Sequence, residues 1–305
     1  MKTMPEMEKY RHAILRRGVL PEMPRASDYG PPEDAPEAPS NKSWLAFHGP
    51  IRDQGAEGSC AGYGILKVYE MEHLRLTGEL LDTSERFCYN LARIVDLIPA
   101  DFIEQEGTTL RAAARVLRHY GVCDESDWPY LPGDRAHLEV PQFLRILEKA
   151  RKRRIAEYRN LLKDAVNAST LAIIKHALCR RPIVCALLVH RDWLAVGPDG
   201  FVVPAEGAPS WRAHPASLSG DGLPERASLP AEGAEWIGGH AVALISYDDD
   251  LHRHGRRGWF GFVNSWSEAW GDRGIGYIDY RSFLSCVISS YEIVLGKESR
   301  FDKNG

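Results

Sequence analysis

The most constraining feature of the chain is a change of character at Arg181-Pro182. Before it, apolar residues recur at helical spacing. After it, short apolar and β-branched runs alternate with Gly, Pro and Asp turns. Helices are expected from Ala61 to Leu76, where Ile65, Leu66, Val68 and Tyr69 form an apolar stripe stopped by Thr77-Gly78, and from Ser84 to Val95 behind a Ser cap. A third runs from Thr108 to Tyr120 with Gly121 beyond it, and two more lie around Pro141–Arg154 and Ser169–Cys179. Strands are expected at Ile183–Val189, Phe201–Val203, Ala241–Ser246, Trp259–Asn264 and Gly276–Tyr280. Helices first and strands second define an α+β chain in two halves. A short helix at Pro5–Gly18, a Pro-rich extended arm at Pro21–Pro39 and a long loop at Pro204–Gly239 complete the reading.

Composition closes off several classes of function. The 305 residues are 44% hydrophobic and 26% charged with a net charge of −4, so the whole chain carries no basic excess that would draw it to nucleic acid or anionic lipid. No apolar run reaches the ~20 residues of a membrane span, and Met1–Tyr10 has no apolar stretch of a secretory signal. A cytoplasmic location is therefore expected, with non-classical export left open. The six cysteines form no C-x-x-C pair, which points to free thiols in a reducing compartment and gives no reason to expect a metal or other cofactor.

One cysteine has unusual neighbours. In Gln54-Gly55-Ala56-Glu57-Gly58-Ser59-Cys60, the thiol stands where a glycine-rich turn gives way to the first strong helix. There it faces the positive end of the helix dipole and the unpaired N–H groups of the first turn. Such a place, with an imidazolium nearby, can lower a thiol pKa by several units. Its plain alternative is a buried cysteine at a helix start. Downstream, Gly238-Gly239-His240-Ala241-Val242 sets a histidine at the head of an apolar strand, with glycines leaving space beside its ring. Asn264-Ser265-Trp266 ends a neighbouring strand, where an Asn could hold one imidazole nitrogen and turn the other toward sulfur.

Taken in order, Gln-x5-Cys, Gly-Gly-His-Ala-Val, Asn-Ser-Trp and Trp270-Gly271-Asp272-Arg273-Gly274-Ile275-Gly276-Tyr277-Ile278 resemble the papain family of cysteine peptidases. Bacterial members are the most similar, through segments such as Ser84–Arg93, Gly107-Thr108-Thr109-Leu110-Arg111 and Tyr120-Gly121-Val122-Cys123 with Trp128-Pro129-Tyr130. The likeness runs from about Pro50 to Val294. It implies Cys60 as nucleophile, His240 as its base and later proton donor, Asn264 as orienter of His240, and Gln54 as oxyanion donor beside the Cys60 N–H. It also implies that Gly107, Glu106, Gly239 and Trp266 line the substrate cleft, Gly107 pairing with an extended substrate and Trp266 shielding the His–Asn contact from water. The implied fold is papain-like, a helical left domain (44–165) and a β-barrel right domain (166–298) with the cleft between them, flanked by an arm (1–43) and a tail (299–305).

Departures from the family pattern bear on substrate preference more than on chemistry. Glu57 stands where secreted relatives carry a disulfide cysteine, Ala61 replaces an aromatic residue and Ser267 a glycine. Glu106 replaces a glycine that precedes Gly107, which suggests an acidic rim favouring basic side chains. The 43-residue arm is short for a helical pro-domain. It could lie in the cleft as a short pro-segment, serve as a docking peptide or be disordered.

The expected activity is peptide-bond hydrolysis on peptide or protein substrates. The alternatives are acyl transfer to an amine by the same three residues, or a silent papain-like binding module. A nucleophile-elbow reading of Gly58-x-Cys60-x-Gly62 is disfavoured because no apolar strand precedes it. Lys149–Arg154 reads as the solvated end of a helix, and Asp248–His254 as a charged hairpin. Trp193 and Trp236 are expected to pack down the long loop that they bracket.

Overall fold

The computed structural model describes residues 18–20, 22, 38–96, 106–131, 138–162, 166, 168–203 and 236–296. The expected Pro5–Gly18 helix lies outside these residues except for Gly18. So do most of the Pro21–Pro39 arm and the loop as far as residue 235.

The helical part opens with α1 (Cys60–Thr77), which ends at Gly78 in the left-handed conformation. It continues with α2 (Glu85–Val95), α3 (Leu110–His119) and α4 (Val140–Ala150). The caps explain the boundaries. Ser84 accepts from the Phe87 N–H and Thr109 from the Ala112 N–H, each replacing a bond that the first helical turn cannot make internally. At Gly121 a Cβ would fall 1.9 Å from the Ala150 carbonyl, so only glycine lets the ends of α3 and α4 meet. Beyond α4, Arg151–Arg153 form a solvated 3₁₀ turn.

The strands are β1 (Asn41–Ser43), β2 (Ile155–Asn160), β3 (Ile183–His190), β4 (Phe201–Val202), β5 (Trp236–Arg253), β6 (Arg256–Val263), β7 (Ile275–Asp279) and β8 (Val287–Leu295). They form one sheet in the order β2-β8-β3-β5-β6-β7-β4, with β1 on β5, antiparallel throughout except for β4 beside β7. Helix α5 (Ala168–Arg180) precedes β3, and α6 (Tyr280–Cys286) leads into β8.

The sheet is open, and this corrects the expected β-barrel: the strand order ends at β2 and β4, which do not pair with each other. Both ends suit an open edge. β4 has two residues, and β2 carries Glu157 and Arg159, which pair with one another. Closure is not needed for burial either, because the sheet is covered on both faces. Val184, Ala186, Ala241, Ala243 and Ile245 join the core beneath α1–α3, while Ile183, Cys185, Leu187, Val242 and Leu244 join a second core containing Trp193, Phe260 and Phe262. Two-sided burial is why Ile183–Val189 reads as an unbroken apolar run.

Other expectations shift as well. β5 is far longer than Ala241–Ser246: it takes in Trp236–Gly239, assigned above to the loop, and runs into the charged hairpin that turns at His254-Gly255. β2 and β8 were not anticipated. α1 lies close on the sheet, since a Cβ at Gly64 would stand 3.2 Å from Val184 Cγ2 and 3.3 Å from Ala241 Cβ. No helix among the described residues is long and apolar enough to cross a membrane.

Candidate active site

Cys60 occupies the first position of α1. The capping residue, Ser59, makes no side-chain cap bond, which leaves first-turn N–H groups uncommitted. The backbone N–H groups of Ala61, of Cys60 itself and of Ala241 across the sheet are directed at the sulfur. Ala241 follows His240, so α1 and β5 set the thiol against the residue next to the imidazole.

His240 pairs with Leu187 of β3 in the register of the sheet. Its Nε2 lies 2.7 Å from Asn264 Oδ1, which also accepts the Ser265 N–H at 2.8 Å. A backbone N–H can only donate, so the Asn264 atom between them is the oxygen and His240 Nε2 carries the proton. The other nitrogen, Nδ1, is then the basic one in the neutral ring. It is buried and has no hydrogen-bond partner among the described residues. Asn264 is fixed in turn by its own N–H, which donates to Gly274 O at 2.9 Å.

An aromatic wall closes over this pair. The Trp266 ring centroid stands 4.6 Å from that of His240 and the Trp193 centroid 6.4 Å, and Trp193 stacks on Phe262 and Trp270. Trp193 thus belongs to the wall behind the histidine, and the loop that it was expected to pin lies, as far as residue 235, outside the described residues. One signal was available, a large aromatic residue just after an apolar strand, but nothing local named its neighbours.

Gln54 is held at both ends of its amide. Nε2 donates to Glu57 O at 2.9 Å, and Oε1 accepts from Ser265 Oγ at 2.6 Å. The backbone repeats the link, with Gln54 N donating to Ser265 O at 2.9 Å and Ser267 N to Arg52 O at 3.0 Å. One Nε2 hydrogen is left over, on the loop that ends at Cys60.

The expected substrate-contacting residues are partly engaged with the chain itself. The Gly107 N–H donates to the Tyr89 hydroxyl at 3.0 Å. Glu106 is buried, and its Oε2 accepts the Gly58 N–H at 2.6 Å, so that oxygen faces the nucleophile loop instead of an open rim. Between Thr108 and Gly239 lies a piece of the N-terminal arm: Val19 N donates to Gly239 O at 3.4 Å, and Leu20 N to Thr108 O at 3.0 Å. Cys60 and His240 are each 0% exposed. Burial pushes the Cys60 thiol up to about 12 against the opposing N–H groups, and pulls His240 down to about 4 against its bond to Asn264. Burial thus favours the neutral form of both groups. Among the described residues no group of three His, Cys, Asp or Glu could hold a metal ion.

No protein-family model matches the chain. Among curated proteins it is 24% identical over 235 residues, 75% of its own length, to the uncharacterised peptidase C1-like protein L477 of Acanthamoeba polyphaga mimivirus, and it spans 64% of that protein. Among solved structures it is similar to xylellain, a cysteine protease from Xylella fastidiosa, with a TM-score of 0.65 and 20% identity over 92% of this chain and 97% of that one. It is also similar to digestive procathepsin L 3 of Tenebrio molitor larval midgut, with a TM-score of 0.60 and 16% identity over 95% and 79% of the two chains. The fold is therefore that of the papain-like cysteine peptidases.

Proposed function

We propose that the chain is a papain-like cysteine peptidase acting on peptide or protein substrates through an acyl-enzyme on Cys60. The observation that carries this reading is the imidazole held by Asn264 through Nε2 with its Nδ1 unpartnered among the described residues, next in the chain to Ala241, whose N–H meets the Cys60 sulfur.

In this reading His240 Nδ1 takes the thiol proton, and the thiolate attacks the carbonyl carbon of the scissile bond. The oxyanion that forms is received by the Cys60 N–H and by the remaining Gln54 Nε2 hydrogen. When the C–N bond breaks, His240 returns its proton to the leaving amine. A water, deprotonated by His240, then attacks the thioester, and the carboxylic acid and the thiol are released. Asn264 stabilises the imidazolium in both halves, and Trp266 keeps water from the His–Asn bond.

Gly18–Leu20 is read as an inhibitory segment. Its main chain occupies the span between Thr108 and Gly239, which is next to His240 in the chain. In this reading it keeps water from the site, and the thiolate–imidazolium pair forms only once it leaves. The test is Cys60→Ala in the full chain carrying Val19→Asp, a change that unseats the segment. The double variant should lose both the turnover of a peptide library and the stoichiometric labelling by iodoacetamide that the Val19→Asp parent shows, and a double variant with the parent's turnover would end the proposal.

A further inference from the structure

The turn that delivers Cys60 is gripped by carboxylates from two sides. The Glu57 carbonyl accepts from Gln54 Nε2 at 2.9 Å and from the Ser59 N–H at 2.8 Å, so the oxyanion amide and the residue before the nucleophile both lean on one peptide group. The Glu57 side chain in turn holds that residue in place. Arg86 of α2, 2% exposed, donates Nη1 to Glu57 Oε1 at 2.7 Å and Nη2 to Oε2 at 2.8 Å. The Tyr130 hydroxyl joins the same group, 3.0 Å from Glu57 Oε2, 2.9 Å from Gln54 O and 2.8 Å from Ser59 Oγ. The Arg86 guanidinium also lies over the Tyr130 ring, 4.5 Å from its centroid.

The second grip is Glu106, through its bond from the Gly58 N–H. A backbone donor to an ionised carboxylate is about twice as strong as a neutral pair. Gly58 would otherwise be free to rotate, since it has no side chain of its own to pack. It lies two residues before the N–H that would receive the oxyanion. A small rotation of the Gly58 peptide would therefore move the Cys60 N–H and the Glu57 carbonyl together, and through the carbonyl the Gln54 amide.

We propose that Glu106 and Glu57 are positioning residues for the oxyanion donors: Glu106 fixes the Gly58 peptide, and Glu57, clamped by Arg86 and Tyr130, fixes the carbonyl that orients Gln54. Neither carboxylate touches the substrate in this assignment, and both act through the turn. The assignment rests on the acyl-enzyme reading above. It gives Glu106 a role other than the acidic rim expected from the sequence, because its Oε2 is bonded to the turn.

The test separates reactions that need oxyanion donors from one that does not. Alkylation of Cys60 by iodoacetamide needs the thiolate and its imidazole only. Hydrolysis of a fluorogenic peptide, and inhibition by the matching peptide aldehyde, both place an oxyanion between Gln54 and the Cys60 N–H. The parent is the full chain carrying Val19→Asp, which unseats the segment lying between Thr108 and Gly239 by placing a charge where Val19 is 2% exposed. In that parent, Glu106→Ala should lower kcat and weaken the aldehyde by about 30- to 100-fold, with KM and the alkylation rate within about twofold. Glu106→Gln, whose amide oxygen can still accept from Gly58, should recover to within about fivefold of the parent, and Glu57→Ala should behave like Glu106→Ala.

Hydrolysis by Glu106→Ala within about threefold of the parent would overturn the assignment, as would alkylation falling in step with hydrolysis. A changed preference for Lys or Arg at unchanged kcat would overturn it in favour of the acidic rim. A parent that neither alkylates at Cys60 nor hydrolyses would overturn the acyl-enzyme reading itself, and this assignment with it.

Discussion

The carbonyl oxygen of Val19 lies against Gly239 so closely that a Cβ on that glycine would stand 2.4 Å from it. The residue before the proposed general base thus gives up its side chain to make room for the chain's own arm. Unseating that arm should expose the sulfur. Val19→Asp in the full chain should raise the rate of Cys60 alkylation at least about tenfold, because an unpaired carboxylate at a buried site costs several kcal/mol. Rates equal to wild type would show that the segment does not guard the thiol.

The two members of the His–Asn pair should be unequal. His240→Ala removes the proton acceptor and should lower kcat by about 10⁴-fold, whereas Asn264→Ala leaves the ring in place and should cost about 10²-fold. Steady-state kinetics on folded variants decides this, and equal losses would count against the division of roles.

Seating of the arm should depend on pH through Glu22. Its carboxyl is buried against the Arg111 guanidinium and N–H on α3, the Tyr291 hydroxyl on β8 and Asp96 after α2, and burial raises it to about 7. The seated arm holds the protonated form more readily than the free arm does. Seating is therefore fully stabilised below about 4.5 and weakens as pH rises through about 7. Glu22→Gln should stay seated at pH 8. The ratio of wild-type to Glu22→Gln alkylation rates should accordingly climb at least about fivefold between pH 5 and pH 8, and a flat ratio would refute the linkage.

Beneath the site, Arg52 Nη2 binds Glu70 at 2.6 Å and Asp82 at 2.7 Å, while Nη1 binds Glu85 and the Thr83 carbonyl. Arg52→Met leaves Glu70 and Glu85 buried without their main cation and should lower the unfolding free energy by about 3–5 kcal/mol in a urea titration. A loss under about 1 kcal/mol would mean that Lys67, 3.5 Å from Glu70, takes over the role.

Stability should also fall on acidification. His240 is neutral and held at about 4 by burial, so below about 6.5 the unfolded chain takes up a proton that the native ring refuses until about pH 4. His240→Phe should flatten that part of the stability–pH curve, and an unchanged slope would place the titration elsewhere.

What could be read from the residues was local. Ser84 and Thr109 carry their caps in their own side chains, and Gly78 and Gly121 carry the helix ends, so those boundaries fell within two residues. Gln54, Cys60, His240 and Asn264 were legible as an ordered set of short motifs. What was not legible depended on partners distant in the chain. β2 and β8 pair with each other and mix charged with apolar residues, so neither shows a clean period. The open edge depends on strand order, which no local pattern encodes. Glu57 and Glu106 read as departures from a family pattern, because the Arg86 and Gly58 groups that they meet lie 29 and 48 positions away in the chain.

Gly64 sits one helical turn beyond Cys60, wedged against Ala241 and Val184. The spacing between the helix that carries Cys60 and the strand that carries His240 is thus gauged by two of the smallest residues, Gly64 and Ala241, one on each surface. A single extra methyl at either would work as a shim, prising helix from sheet and drawing the reacting atoms out of range while every reactive group stayed intact.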